Sequence, residues 1–163
     1  MQIIFFNDVS VRIQVRFSHS KYLRVICFFK KFIKRLIIKA WDALLLDFPP
    51  KRIELLKKLK NKYRIFLFSN TNSLHLAALR QIYTQAFGSG ALEDHFEKTY
   101  YSHLLGMRKP ERESYEYILR ENQLQGPETL FVDDAIVNVE GAEQAGLKGL
   151  YLRPGISLLD FQW

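Results

Sequence analysis

The sequence is poor in three things, and each shortage excludes a class of protein. Cysteine occurs once, as Cys27. An internal disulfide framework is therefore impossible, which fits a reducing compartment. No run approaches the ~20 apolar residues that a bilayer span demands, so no transmembrane segment is expected. Acids are nearly missing from the first quarter of the chain. Residues 1–40 hold nine Lys/Arg and one acid, Asp8, a net +8, whereas the other 123 residues hold 15 bases and 16 acids, a net −1. The overall +7 is thus local to the N-terminus. The rest has the charge balance of an ordinary soluble enzyme, and a nucleic-acid partner is not expected. The early basic residues are scattered among apolar ones and do not precede them, unlike a secretory signal. A cytoplasmic location is the expectation.

What is present is an alternation. The length of 163 residues suits one ordinary domain with a single core, and neither repeats nor low-complexity tracts interrupt it. Residues 2–6, Gln-Ile-Ile-Phe-Phe, read as a short buried strand. Residues 22–39 have helical period, with apolar side chains at 22, 25, 26, 29, 32, 33, 36 and 37 and charges at 30, 31, 34 and 35. Pro49-Pro50 stops the chain and begins a helix over about 50–60. Strands then read at 64–68, 96–101, 129–132 and 148–152, and helices at 73–86, 111–122 and 136–145, the last stopped by Gly146. Strands and helices alternating at this spacing predict a parallel α/β sheet. In such sheets, ligands sit beyond the carboxyl ends of the strands.

Three polar clusters fall at those ends. Ser69-Asn70-Thr71 follows the strand 64–68. Its hydroxyl and the amides opening the next helix suit a phosphate oxygen, although such residues also serve as helix caps. Gly106-Met107-Arg108-Lys109-Pro110-Glu111 forms a turn, with Pro110 placed to begin a helix and Lys109 able either to enter the strand-end cleft or to stay solvated. Asp133-Asp134 ends an apolar strand, with Asn138 close behind. Adjacent carboxylates repel and are costly to desolvate. A hard cation such as Mg2+ relieves both problems, while helix capping is the plainer use.

Taken together in this order, FLFSNT (66–71), GMRKPE (106–111) and TLFVDDAIVNVEGAEQAG (129–146) resemble motifs two, three and four of the haloacid dehalogenase (HAD) superfamily. The likeness is nearest to the branch of sugar-1-phosphate phosphatases and epoxide hydrolase N-terminal domains. The segment AWDALLLDFPPKRIELLKKLK (40–60) is similar to the return from that branch's helical cap. The resemblance implies a three-layer Rossmann-like core over 41–163, with a reduced or missing helical cap and an atypical basic segment over 1–40. It implies Mg2+-dependent hydrolysis of a small phosphorylated metabolite, a sugar phosphate being expected, through an aspartyl-phosphate. Ser69 and Asn70 would hold phosphate, and Lys109 would neutralise charge. Asp134 would bind the metal, Asp133 would stand at or behind it, and Asn138 would orient that set.

Motif one departs from the family pattern. At that place this chain reads IIFFNDVSVRI (3–13), so Asp8 is the one acid available as nucleophile and metal ligand. Ser10 stands where the family places an aspartate or glycine, and no glycine follows to turn the backbone. The stretch from Asp8 to Trp41 is far shorter than that branch's caps. Three readings stay open. In one, Asp8 is the phosphorylated residue, with a minimal cap. In the second, the N-terminus is truncated or altered and the chain is a weak or inactive relative. In the third, the basic 22–39 helix is an adaptation for contact with a membrane surface, nucleic acid or a protein partner. The oligomeric state is not legible.

Overall fold

A computed structural model describes the backbone of Gln2–Phe5 and the residues 48–163. Asp8 and the 22–39 helix lie outside the described residues, with the rest of 1–47 apart from Gln2–Phe5.

Five parallel strands form one sheet in the order β3-β2-β1-β4-β5. They are β1 (Gln2–Phe5), β2 (Ile65–Ser69), β3 (Lys98–Tyr101), β4 (Thr129–Asp133) and β5 (Lys148–Tyr151). The helices among the described residues are α1 (Pro50–Lys60), α2 (Ser73–Phe87), α3 (Ser102–Leu105), α4 (Arg112–Glu121) and α5 (Ile136–Gln144). Expected and observed boundaries differ by a residue or two, as fraying ends allow.

The apolar first strand fills the centre of the sheet. Ile3 pairs with Ile65 on one side and Leu130 on the other, and Phe5 with Leu67 and Val132. Without it, β2 and β4 would each bury an unpaired edge, at about 1–3 kcal/mol per orphaned group. The chain builds outward from β1 through β2 to β3, then returns across it to β4 and β5. That reversal makes a topological switch point beside β1, where ligands collect in such sheets.

Strand alternation sorts the core into two faces. Ile65 and Leu67 point to one face, with Ile53 and Leu59 of α1 and Leu76 and Tyr83 of α2. Phe66 and Phe68 point to the other, with Tyr115 and Ile118 of α4, Phe131 and Ala142. Helices therefore cover both faces and the architecture is three-layered. Because β2 is covered on both sides, all five of its residues are buried.

Candidate active site

Each of the three polar clusters lies beyond a strand end, and hydrogen bonds tie them to one another. Ser69 is the last residue of β2 and is buried level with Tyr101 of β3. Asn70 follows it. Its amide clasps the backbone of Lys109 twice, Nδ2 donating to the carbonyl at 2.9 Å and Oδ1 accepting from the N–H at 3.0 Å. Ser102 makes a matching clasp on Thr71. Its hydroxyl accepts from the Thr71 N–H at 3.1 Å and donates to the Thr71 carbonyl at 3.1 Å. His103 Nδ1 lies 3.1 Å from that carbonyl, which only accepts, so Nδ1 carries the proton. The loop after β2 is thereby fixed at two places to the segment that follows β3.

The cap of α2 is Asn72, whose Oδ1 accepts from the N–H groups of Leu74 and His75. The capping explanation of Ser69-Asn70-Thr71 therefore fails, because the duty falls one residue later. Asn70, expected to touch phosphate, uses its side chain to position Lys109.

Lys109 reaches its place through a tight reversal. Gly106 ends α3 at φ +72°, a left-handed conformation that suits glycine. Pro110 stays in the turn, after a cis peptide bond, and α4 starts at Arg112 and not at Pro110 as expected. The solvated alternative for Lys109 is also excluded, since its side chain is 0% exposed. Its Nζ donates to Asp133 Oδ2 at 2.9 Å and lies 5.8 Å from the centroid of the Phe68 ring.

Asp133 ends β4, equally buried. Besides Lys109, its Oδ2 accepts from Asn138 Nδ2 at 3.1 Å, and its Oδ1 accepts from the Ala135 N–H at 2.7 Å. Three donors surround this carboxylate, which is how a buried charge is tolerated. Asn138 is held in turn by Tyr115, whose hydroxyl donates to the Asn138 carbonyl at 2.8 Å. Burial, and then the charge of Asp133, push the Tyr115 hydroxyl far above its ordinary range, so it stays a donor. Asp134, the next residue, is exposed. The acid pair is split because Asp133 is the buried last residue of β4, whereas Asp134 lies past the strand's end. The cap position of α5 is Ala135.

Ser102 and Tyr115 were not singled out in the sequence. Ser102 carried a usable signal, a hydroxyl at the end of an aromatic strand, like Ser69. Tyr115 carried none, since its role depends on which helix face meets α5.

A Mg2+ ion suits a site with one or two carboxylates, its other positions taken by water and phosphate. Asp134 offers such a donor. Asp133 is committed to Lys109, Asn138 and Ala135, so a second cation on it would face the ammonium. Among the described residues no cluster of three His, Cys, Asp or Glu could hold a metal. Asp8, expected as a further ligand, lies outside the described residues.

A parallel sheet that reverses beside its central strand, with a buried cation and an exposed acid at the strand ends, defines an α/β protein with a charged strand-end site. Residues 19–146 match the haloacid dehalogenase-like hydrolases, and the chain belongs to that family. It is 32% identical over 104 residues to the sesquiterpene phosphatase astK of Aspergillus oryzae, covering 63% of this chain and 50% of that one. It is 26% identical over 110 residues to the D-ribitol-5-phosphate phosphatase of Bacteroides thetaiotaomicron, covering 68% and 53%. The chain thus spans about half the length of these curated relatives. Among solved structures, a HAD family enzyme of B. thetaiotaomicron in complex with magnesium and inorganic phosphate superposes with TM-score 0.68 at 33% identity, over 76% of this chain and 62% of that one. A HAD-like hydrolase of Porphyromonas gingivalis superposes with TM-score 0.65 at 25% identity, over 82% and 73%. No helix among the described residues is long and apolar enough to cross a membrane.

Proposed function

We propose that this chain hydrolyses phosphomonoesters with Mg2+, using Asp8 as the residue phosphorylated. The observation that carries the reading is Lys109, buried with Asp133, which precedes Asp134, and clasped by Asn70, which follows Ser69. A preset cation beside a hydroxyl suits the charge that builds on a transferring phosphoryl group. The chain that carries Asp8 leaves the carboxyl end of β1, flanked by the ends of β2 and β4.

In the first step an Asp8 carboxylate oxygen bonds to phosphorus, and the bond from phosphorus to the ester oxygen breaks. The alcohol leaves with a proton taken from the medium. Water then attacks the aspartyl-phosphate, releasing inorganic phosphate and restoring the carboxylate. Two moderate barriers replace one very high one. Asp134 would hold Mg2+, which when bound screens negative charge on the phosphate. Asp133 and Asn138 keep Lys109 and the start of α5 in place. The solved relative that holds magnesium and phosphate supports this assignment. The resemblance favours a sugar phosphate. The curated relatives, however, include a sesquiterpene phosphatase as well as a ribitol-phosphate phosphatase. These two differ in the alcohol half of the ester.

The test is turnover of an aryl phosphate with and without Mg2+, in the full chain and in Asp8→Asn. The expected result is Mg2+-dependent release of phosphate that Asp8→Asn abolishes. Absence of turnover, or turnover indifferent to that substitution, removes Asp8 from the mechanism. Salt-sensitive binding to anionic vesicles or DNA by an inactive chain would instead support interaction through the basic 22–39 helix.

A further inference from the structure

Six large hydrophobic side chains are exposed among the described residues: Leu74, Leu104, Ile136, Val137, Ile156 and Leu159. A scattered exposed leucine means little. Five of these six, however, follow the carboxyl end of a strand within five residues: Leu74 follows β2 by five, Leu104 follows β3 by three, Ile136 and Val137 follow β4 by three and four, and Ile156 follows the edge strand β5 by five. The first four follow the strands whose ends lead into Ser69, Lys109 and Asp134. The strands are parallel, so these positions share the end that carries Lys109, Ser69 and Asp134. The neighbours of these side chains are built into the site. His103 bonds the Thr71 carbonyl, and the Ala135 N–H bonds Asp133.

Local structure gives these residues no reason to be apolar. Leu74, Ile136 and Val137 occupy first turns, where acids and small polar residues are favoured. Ile136 and Val137 are also β-branched and weak helix formers. Leu104, 72% exposed, packs little of itself against the fold. Local rules broken together around one site point to a ligand.

We propose that the mouth of this site selects phosphomonoesters of an apolar, alkyl-type or isoprenoid-type alcohol over polyol phosphates, with Leu74, Leu104, Ile136 and Val137 bordering the leaving group. This rests on the phosphatase reading given above. An occupant of that mouth must put a phosphate at the centre and apolar surface at the border, and an apolar phosphomonoester does both. A polyol would bring hydroxyls against leucine and isoleucine and lose their hydration.

Binding tests this without needing turnover. Phosphonates cannot be hydrolysed at the carbon–phosphorus bond, so methyl-, butyl-, hexyl- and octylphosphonate are titrated calorimetrically into the full chain with Mg2+, alongside inorganic phosphate. Affinity should rise roughly two- to fourfold per methylene, the upper figure corresponding to full burial. Inorganic phosphate should displace every ligand. The double variant Leu104→Ser, Ile136→Ser should flatten the dependence on chain length. If phosphate and methylphosphonate bind but octylphosphonate binds no tighter, the apolar border is wrong and the phosphate site stands. If nothing binds, both readings fall. If the chain dimerises by light scattering and the double variant makes it monomeric with the chain-length dependence unchanged, the border belongs to a second copy and the proposal is overturned.

Discussion

Removing the ammonium of Lys109 while keeping its bulk, as in Lys109→Met, should destabilise the fold as well as impair the site. Lys109 and Asp133 are both 0% exposed, and their charged atoms are 2.9 Å apart. Taking away one member of a buried pair strands the other, at about 3–5 kcal/mol. Here the carboxylate keeps bonds from Asn138 at 3.1 Å and Ala135 at 2.7 Å, so the lower end, about 3 kcal/mol, applies. For a chain of this size that lowers the thermal midpoint by roughly 6–12 °C. Asp133→Leu should also cost, since it leaves three donors without that acceptor. Combining the two removes both charges at once. The double variant should therefore be more stable than the sum of the single losses predicts, by about 1 kcal/mol or more. Urea unfolding of all four proteins measures this cycle. A loss below about 1 kcal/mol in Lys109→Met, or simple additivity, would show that the pair is not the electrostatic unit described here.

Acidification should loosen the fold through His95. Its imidazole is held below its ordinary 6.5 by burial first and by the charge of Lys57 second, and its Nε2 lies 2.6 Å from the Tyr83 hydroxyl. The unfolded chain therefore binds the proton more readily. The stability from this neutral histidine is complete above the unfolded value and drains as pH falls below it. The thermal midpoint should drop from pH 7.5 to pH 5, and His95→Gln should reduce the drop; equal drops in the two proteins would clear His95 of the effect. Gly141→Ala tests packing behind Lys109. An added Cβ would lie 2.5 Å from the Pro110 carbonyl oxygen and 3.0 Å from its Cβ. Alanine favours a helix by about 1 kcal/mol, but a backbone contact cannot yield as a flexible side chain can. A net loss of about 1–3 kcal/mol is expected, and an unfolding midpoint at or above that of the parent protein would refute the contact.

Much of this protein was legible before its coordinates. Apolar runs at 64–68 and 129–132, each followed by polar residues, announced buried strands with chemistry at their ends. The order of hydroxyl, lysine and paired acids then resembled one family, and the family match bears this out. What the one-dimensional pattern left open was which polar residue does which task. Ser69, Asn70 and Thr71 all looked like caps, yet capping fell to Asn72, because only its side chain faces the first N–H groups of α2.

The charge asymmetry followed the same division. The sequence by itself determined that 1–40 is basic and that the remainder is balanced, because composition needs no geometry. It also determined the alternation of elements, since the periods of strand and helix are local properties of the backbone. Only the tertiary structure decided that Lys109 is buried and not solvated, because that depends on Asp133, 24 residues away, at the end of β4, which β2 and β1 separate from β3 in the sheet. Only it decided that Asp133 is buried and Asp134 exposed, since that depends on where β4 ends beneath the loops that cover it. The four apolar side chains at the strand ends were likewise ordinary letters in their helices until a parallel sheet brought them to the same end.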